Sequence, residues 1–211
     1  MNGQFLAWGR ITAAVVAALT LAVSAAHADS VPVRDGDIVF QTSGSTQSIA
    51  VQRATGSRYS HMGMVIVRKG KPYVFEAAST VQYTPLPQWV ERGVGGHVVV
   101  KRLKNAAILL NSSGIQKLRA EAQKYAGRPY DLTFEWSDER IYCSELVWKI
   151  YERALSERIG ELQKIGDFNL DDPAVREKLK ERYGDHIPLE EPVISPAAMF
   201  TSTRLVTVLE R

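Results

Sequence analysis

A predicted β-hairpin is the feature of this sequence that most constrains its fold. Two apolar segments flank Lys69-Gly70, which we interpret as a two-residue turn. That turn pairs Gly63 with Glu76 and places Glu76 on the same face as His61. Diagonal neighbours on one face of such a pair lie about 7–8 Å apart at the backbone, so a glutamate can reach an imidazole. The register therefore predicts a His61–Glu76 pair in which the carboxylate orients the histidine.

Other interpretations of these residues stay open. His61 is also compatible with a strand-edge histidine that bonds only to backbone, and Glu76 with a strand residue that points to water. His97, which begins another predicted strand, is the rival of Glu76 for its role. His27 and His186 compete less well, because one lies in an N-terminal signal and the other in a charged C-terminal loop.

Cys143, the only cysteine in the chain, lies in a predicted helix. Apolar residues recur at helical spacing on the face that carries the cysteine: Leu146, Val147, Ile150, Tyr151 and Ala154. The hydroxyl and acidic side chains of residues 137–139 predict the helix start, which puts Cys143 in the first turns. There, unpaired backbone N–H groups and the helix dipole favour a thiolate and provide donors for an oxyanion. The alternative is a small buried hydrophobic residue, the commoner role of a lone cysteine on an apolar face.

Residues 1–28 have the pattern of a secretory signal peptide. Arg10 precedes a short apolar segment, and Ala26-His27-Ala28 fits a small-x-small cleavage site. The apolar segment is too short for a bilayer span, so no stable membrane insertion is expected after signal removal. We expect residues 29–211 to form a periplasmic or otherwise exported protein. A single cysteine in that oxidising compartment can form no internal disulfide, which indicates either chemistry or a buried, inert position.

The charge of the chain argues against nucleic acid as a partner. The formal net charge is +3, and it falls to +2 without residues 1–28, where Arg10 is the only charged side chain. That basicity is too weak to predict nucleic-acid binding. The remaining length fits one domain. Within it, residues 156–191 are rich in charge, with a helix predicted from Asp172-Pro173 to Tyr183. We interpret this segment as a solvated helical insertion or cover rather than a functional lid.

Two motifs in a fixed order resemble a known family. They are Tyr59-Ser60-His61-Met62-Gly63-Met64-Val65 on the predicted strand and Tyr142-Cys143-Ser144-Glu145-Leu146-Val147 on the predicted helix, with Tyr130-Asp131 between them. Together with a glutamate on the next strand, they resemble permuted papain-like amidases and peptidases of the YaeF/YiiX type, relatives of the NlpC-type cell-wall peptidases. The resemblance runs from Asp35 to Leu155. It implies an α+β, circularly permuted papain-like fold with a small antiparallel sheet packed against the cysteine-bearing helix.

The resemblance also implies functional roles. The expected catalytic triad is Cys143, His61 and Glu76, and the expected substrate-binding positions are Tyr130, Asp131 and Tyr142, although Tyr142 is equally compatible with a packed aromatic. In the expected mechanism, His61 takes the thiol proton, the thiolate attacks a carbonyl, and water releases the acyl group. No metal or other cofactor is expected, because the three residues lack a further ligand cluster.

The expected function is therefore an exported, thiol-dependent hydrolase of amide bonds, with a cell-wall peptide or related amide favoured by the compartment. One alternative keeps the triad in a lipid or N-acyl esterase or acyltransferase, since the related lecithin:retinol acyltransferase group handles acyl chains. Another is a catalytically inactive domain that binds cell-wall or lipid ligands, with Cys143 in its core. Small-molecule, peptide or lipid substrates are the expected partners, and the sequence leaves the oligomeric state open.

Overall fold

The computed structural model describes residues 33–211, which form a six-stranded antiparallel sheet and the helices that cover it. The strands are β1 (Ile38–Gln41), β2 (His61–Arg68), β3 (Lys71–Ala77), β4 (Val81–Pro85), β5 (Val99–Leu103) and β8 (Leu205–Glu210), in the spatial order β4-β3-β2-β1-β5-β8. A separate pair consists of β6 (Gln163–Lys164) and β7 (Pro192–Val193). The helices are α1 (Thr46–Thr55), α2 (Leu86–Glu91), α3 (Ala106–Leu109), α4 (Ser112–Tyr125), α5 (Cys143–Leu155), α6 (Pro173–Tyr183) and α7 (Pro196–Phe200). The predicted signal peptide, residues 1–28, lies outside the described residues.

The predicted hairpin is present in the predicted register. Arg68 pairs with Lys71 and Met64 with Phe75 across β2 and β3. Lys69 and Gly70 both have positive φ, 49° and 73°, as a two-residue turn that matches the twist of the strands requires. The same register continued to the start of β2 brings Glu76 beside Gly63, where a Cβ atom would lie 3.3 Å from the Cβ of Glu76.

Helix α5 packs across the sheet and forms the main core with it. The predicted apolar face of α5 is confirmed, since Leu146, Val147, Ile150 and Tyr151 are fully buried and Ala154 is half-buried. The sheet is covered on both sides, because alternate strand residues face a second apolar cluster around Trp89 of α2.

The predicted start of the cysteine helix was too early. Helix α5 begins at Cys143 itself, and the backbone N–H of Tyr142 donates to Oε2 of Glu145 at 3.4 Å. The acidic residues upstream do not cap it. Asp138 instead forms ion pairs with Lys149 and Arg153 on the side of α5. The prediction of the helix start failed because a carboxylate near a helix start can bind side chains one or two turns further along the helix instead of capping it.

Helix α4 is capped by Asn111, whose side chain accepts from the Gly114 N–H at 3.0 Å. One other boundary differs from the sequence interpretation. Strand β5 begins at Val99, because residues 94–96 form a 3₁₀ turn and leave His97 outside the strand.

The charged segment 156–191 has a buried inner face. Helix α6 starts after Asp172, which accepts from the Ala174 N–H at 2.9 Å, and it packs against α1. Val175 and Leu179 of α6 are buried on its inner face. The prediction of a solvated cover describes its outer face only. Among residues 33–211, no helix combines the length and apolar character needed to cross a bilayer.

Candidate active site

Glu76 is fully buried and its carboxylate accepts hydrogen bonds from four side chains. Nε2 of His61 lies 2.6 Å from Oε2, and Nε1 of Trp89 donates to the same oxygen at 2.9 Å. Oγ1 of Thr84 donates to Oε1 at 2.6 Å, and the guanidinium of Arg92 donates to that oxygen as well. Every donor favours the ionised form, so this carboxylate is held as an anion in one orientation.

These contacts shift the pKa values of Glu76 and His61 in opposite directions. Burial alone would raise the pKa of Glu76, but the bonds from His61 and Thr84 and the charge of Arg92 outweigh it and lower the value to about 2. Burial alone would lower the pKa of His61, but its interactions with Cys143 and Glu76 raise the value to about 9. The imidazole is therefore a strong proton acceptor beside a thiol.

Cys143 is the first residue of α5 and is 4% exposed. Its thiol helps to raise the pKa of His61, the first residue of β2. The first hydrogen bond of the helix ladder runs from the Leu146 N–H to the Tyr142 carbonyl at 3.0 Å, so the amide of Cys143 has no acceptor within the helix. A thiol, an imidazole and a backbone N–H that is unpaired within the helix therefore belong to one site.

The three predicted substrate-binding residues have different surroundings. The Tyr130 hydroxyl accepts from Nε2 of Gln47 at 2.8 Å, and burial followed by the nearby Cys143 raises its pKa, so the phenol stays neutral. The Tyr142 hydroxyl accepts from the Ile194 N–H at 3.0 Å, which gives this residue a packing role as well. Asp131 is buried, and its Oδ1 accepts from the backbone and hydroxyl of Thr133, both at 2.8 Å.

Two cavities meet at this site. One is bordered by Cys143 and the other by His61, while Gln47, Ser60 and Tyr130 border both. Tyr130 therefore lies between them, and Tyr142 borders the cavity on the Cys143 side. Asp131 borders neither of these two cavities.

The rival histidine is elsewhere. His97 stacks on Tyr59 with ring centroids 6.3 Å apart, and its Nε2 lies 3.7 Å from Oε1 of Glu210. It therefore does not orient His61. Within residues 33–211, no group of three or more histidine, cysteine, aspartate or glutamate side chains is arranged to hold a metal ion.

Sequence reasoning missed the residues that hold Glu76 in place. Thr84 could have been identified from strand pairing, because β4 pairs Gln82 with Glu76 and Thr84 is the next residue on that face of β4. Trp89 and Arg92 follow β4 in a helix and a turn, where no sequence spacing places them against β3. Ser144 was also missed; its hydroxyl donates to the Ile194 carbonyl at 2.7 Å.

Comparison with known proteins places this arrangement among its relatives. A family model described as the permuted papain-like amidase enzyme, YaeF/YiiX, C92 family, matches residues 32–209. The uncharacterized protein YiiX of Escherichia coli (strain K12) is 53% identical over 173 residues, which are 82% of this chain and 84% of that protein. A crystal structure described as the metalloprotein YiiX from Escherichia coli O157:H7 matches with a TM-score of 0.81 and 52% identity, over 84% of this chain and 97% of that chain.

Proposed function

The chain belongs to the YaeF/YiiX family of permuted papain-like amidases, and we propose that it is an exported cysteine hydrolase that cleaves an amide bond. The family supports a hydrolase of the amidase or peptidase kind. The finer assignment of Cys143, His61 and Glu76 as the catalytic triad is our proposal. The observation that supports it is the contact of His61 with the buried, ionised Glu76. Both Glu76 and Cys143 raise the pKa of this histidine.

The proposed reaction has two stages. His61 takes the proton of the Cys143 thiol, and the thiolate attacks the amide carbonyl to form a tetrahedral intermediate. The imidazolium then gives that proton to the leaving amine as the C–N bond breaks, which leaves an acyl-enzyme. In the second stage His61 takes a proton from water, the hydroxide attacks the thioester, and the acid and the free thiol are released. Glu76 holds the ring and stabilises its cationic form.

Two donors are available for the oxyanion. The N–H of Cys143 is unpaired within α5 because the cysteine is the first helical residue. The second is the Tyr130 hydroxyl, which accepts from Gln47 and so has its own proton free to donate to a substrate oxygen. Its raised pKa keeps that proton in place at neutral pH.

Because the chain is expected to be exported, its substrates are expected to be amides of the cell envelope, including cell-wall peptides. The mechanism has no metal step. The related crystal structure is described as a metalloprotein, but in this chain Nε2 of His61 is bound to Glu76. Across the described residues 33–211, no three histidine, cysteine, aspartate or glutamate side chains are placed to hold a metal ion together.

The test is alkylation of the purified protein by iodoacetamide at pH 7, followed by mass spectrometry, together with hydrolysis of a panel of small amides. His61→Ala is expected to slow alkylation of Cys143, and Cys143→Ser and His61→Ala to lower hydrolysis by about a thousandfold or more. The matched control is His186→Ala, an exposed histidine, which should react as the unchanged protein does.

The competing interpretation, an inactive binding domain with Cys143 as a core residue, makes the opposite prediction. It requires that Cys143 is alkylated only when the protein unfolds and that His61→Ala changes nothing. That result would overturn the proposed function.

A further inference from the structure

The backbone that carries Tyr130 is fixed on both sides. Its N–H donates to the Ser79 carbonyl at 3.0 Å, and the Ile141 N–H donates to the Pro129 carbonyl at 3.1 Å. Ile141 lies two residues before Cys143, so the segment with the phenol is attached to the start of the cysteine helix. These bonds place the ring, but they do not set the direction of the phenol proton, because a hydroxyl rotates about its C–O bond.

Gln47 supplies the contact that restricts this proton. It lies half-buried in the first turn of α1, and its Nε2 donates to the Tyr130 hydroxyl at 2.8 Å. Gln47 borders the same two cavities as Tyr130. Because the amide N–H occupies one lone pair of the phenol oxygen, the phenol proton must point away from the amide. One side chain therefore selects the orientation of this hydroxyl.

The turn that carries Gln47 is itself attached to the strand of His61. Ser48 is buried, and its hydroxyl donates to the Ser43 carbonyl and bonds to the hydroxyl of Ser60. Since the proton of Ser48 is used on that carbonyl, Ser60 is the donor in the bond between the two hydroxyls. Ser60 directly precedes His61 in the chain. The first turn of α1 thus connects the proposed proton acceptor to the phenol.

We propose that Gln47 is a positioning residue for the oxyanion. It orients the Tyr130 hydroxyl so that the phenol proton faces the carbonyl oxygen of the substrate. This inference rests on the proposed function, in which Tyr130 is the second oxyanion donor. Because the oxyanion forms only as the thiolate attacks, the loss of Gln47 should lower kcat and leave KM nearly unchanged.

A double-mutant cycle separates this role from a direct contact of Gln47 with substrate. The measurement is hydrolysis of 4-nitroacetanilide. Tyr130→Phe is expected to lower kcat by about a hundredfold or more, the usual loss for an oxyanion donor. Gln47→Leu should lower it by about tenfold, the factor that matches one hydrogen bond. In the Tyr130→Phe background, Gln47→Leu should change kcat by less than about twofold, because no hydroxyl is left to orient. Equal losses in both backgrounds would overturn the inference.

Gln47→Glu reverses the direction of the hydrogen bond at almost constant shape. The ionised carboxylate accepts the phenol proton, so at pH 7 kcat should fall by about as much as in Tyr130→Phe. The ratio to the unchanged protein at the same pH should recover as pH falls through about 4.3, where a carboxyl gains a proton that it can donate. Gln123→Glu makes the same change at an exposed position of α4 and is the matched control. Full activity of Gln47→Glu at pH 7 would overturn the inference.

A measurement without turnover separates this inference from the proposed function. Protein with 3,5-difluorotyrosine in place of Tyr130 is titrated by fluorine NMR. Gln47→Leu should raise the pKa of that phenol by about 1, because it removes a donor to the phenolate. Hydrolysis that requires Cys143 and His61, together with an unchanged phenol pKa, would overturn the inference alone. A raised phenol pKa in a protein that hydrolyses no amide would overturn the proposed function and leave Gln47 as the residue that orients Tyr130.

Discussion

Nε2 of His61 lies 2.6 Å from Oε2 of Glu76, a carboxylate with no exposed surface. Because the carboxylate is ionised, this contact requires a proton on Nε2, and it leaves the other ring nitrogen free of Glu76, as the proposed role of His61 toward Cys143 requires. Thr84, Trp89 and Arg92 hold the carboxylate from its other sides. The orientation of the histidine thus depends on a fully buried carboxylate that is itself held by three other side chains.

The pH dependence of activity is expected to follow His61. Activity should fall as pH rises through about 9, because the imidazolium that protonates the leaving amine loses its proton there. Glu76→Gln removes the negative charge that helps to raise the pKa of His61, so the alkaline limb of kcat/KM should move to lower pH. Glu210→Gln, an exposed carboxylate beside His97, is the control and should leave the profile in place. An unchanged limb in Glu76→Gln would contradict the proposed pairing.

Glu76 is also expected to contribute to acid stability. Its pKa is lowered from 4.5 to about 2 on folding, so its contribution is complete above pH 4.5 and is lost as pH falls through about 2. That contribution is about 3 kcal/mol at neutral pH, by the free energy of a pKa shift of this size. The unfolding free energies of the unchanged protein and of Glu76→Gln, measured in urea, should differ by less at pH 2.5 than at pH 6. A difference that is independent of pH would show that the charge is not the stabilising feature.

Thr84→Val tests the support of Glu76 by a residue outside the proposed triad. It removes a hydrogen bond to a buried charged group while keeping the shape of the side chain, and we expect a loss of about 1.5–3 kcal/mol of unfolding free energy. The alkaline limb should shift as well, since the carboxylate is less firmly held. Thr207→Val, at an exposed strand position, provides the comparison, with little change in either measurement.

Gly63→Ala is expected to disturb the hairpin that carries the histidine and the glutamate. An added Cβ would lie 2.4 Å from Cγ1 of Val74 and 2.9 Å from the Phe75 carbonyl oxygen, so β3 must move. Overpacking of this kind costs about 1–3 kcal/mol, and the shift of β3 should also lower kcat. Gly44→Ala, where the nearest atom is 4.0 Å away, should alter neither the melting temperature nor kcat. Full activity and stability in Gly63→Ala would mean that β3 tolerates the displacement.

Ser144→Ala tests the attachment of the chain near β7 to the start of α5. The change leaves the Ile194 carbonyl without its hydroxyl donor in a buried place, at a cost of about 1–3 kcal/mol in unfolding free energy. The measurement is urea unfolding, with Ser113→Ala, an exposed serine outside the site, as the comparison. Equal stability of Ser144→Ala and the unchanged protein would show that the bond contributes nothing.

Local periodicity by itself determined the parts of this protein that lie within one element or one tight turn. The two-residue turn at Lys69-Gly70 sets the register that brings Glu76 to His61, and the 3.6-residue period sets the buried face of α5. The turn and the buried helix face both depend on residues a few positions apart, so nearby positions in the sequence are enough to predict them.

Tertiary structure alone decided the surroundings of the site. Trp89 and Arg92 reach Glu76, and α6 faces α1 across the cavity, although no spacing in the sequence relates them. Their positions depend on how the elements pack together, which is set by the burial of whole faces. Asp138 shows the same limit. Its charge indicated a helix cap, but in the structure it forms ion pairs with Lys149 and Arg153, because folding brings these groups together.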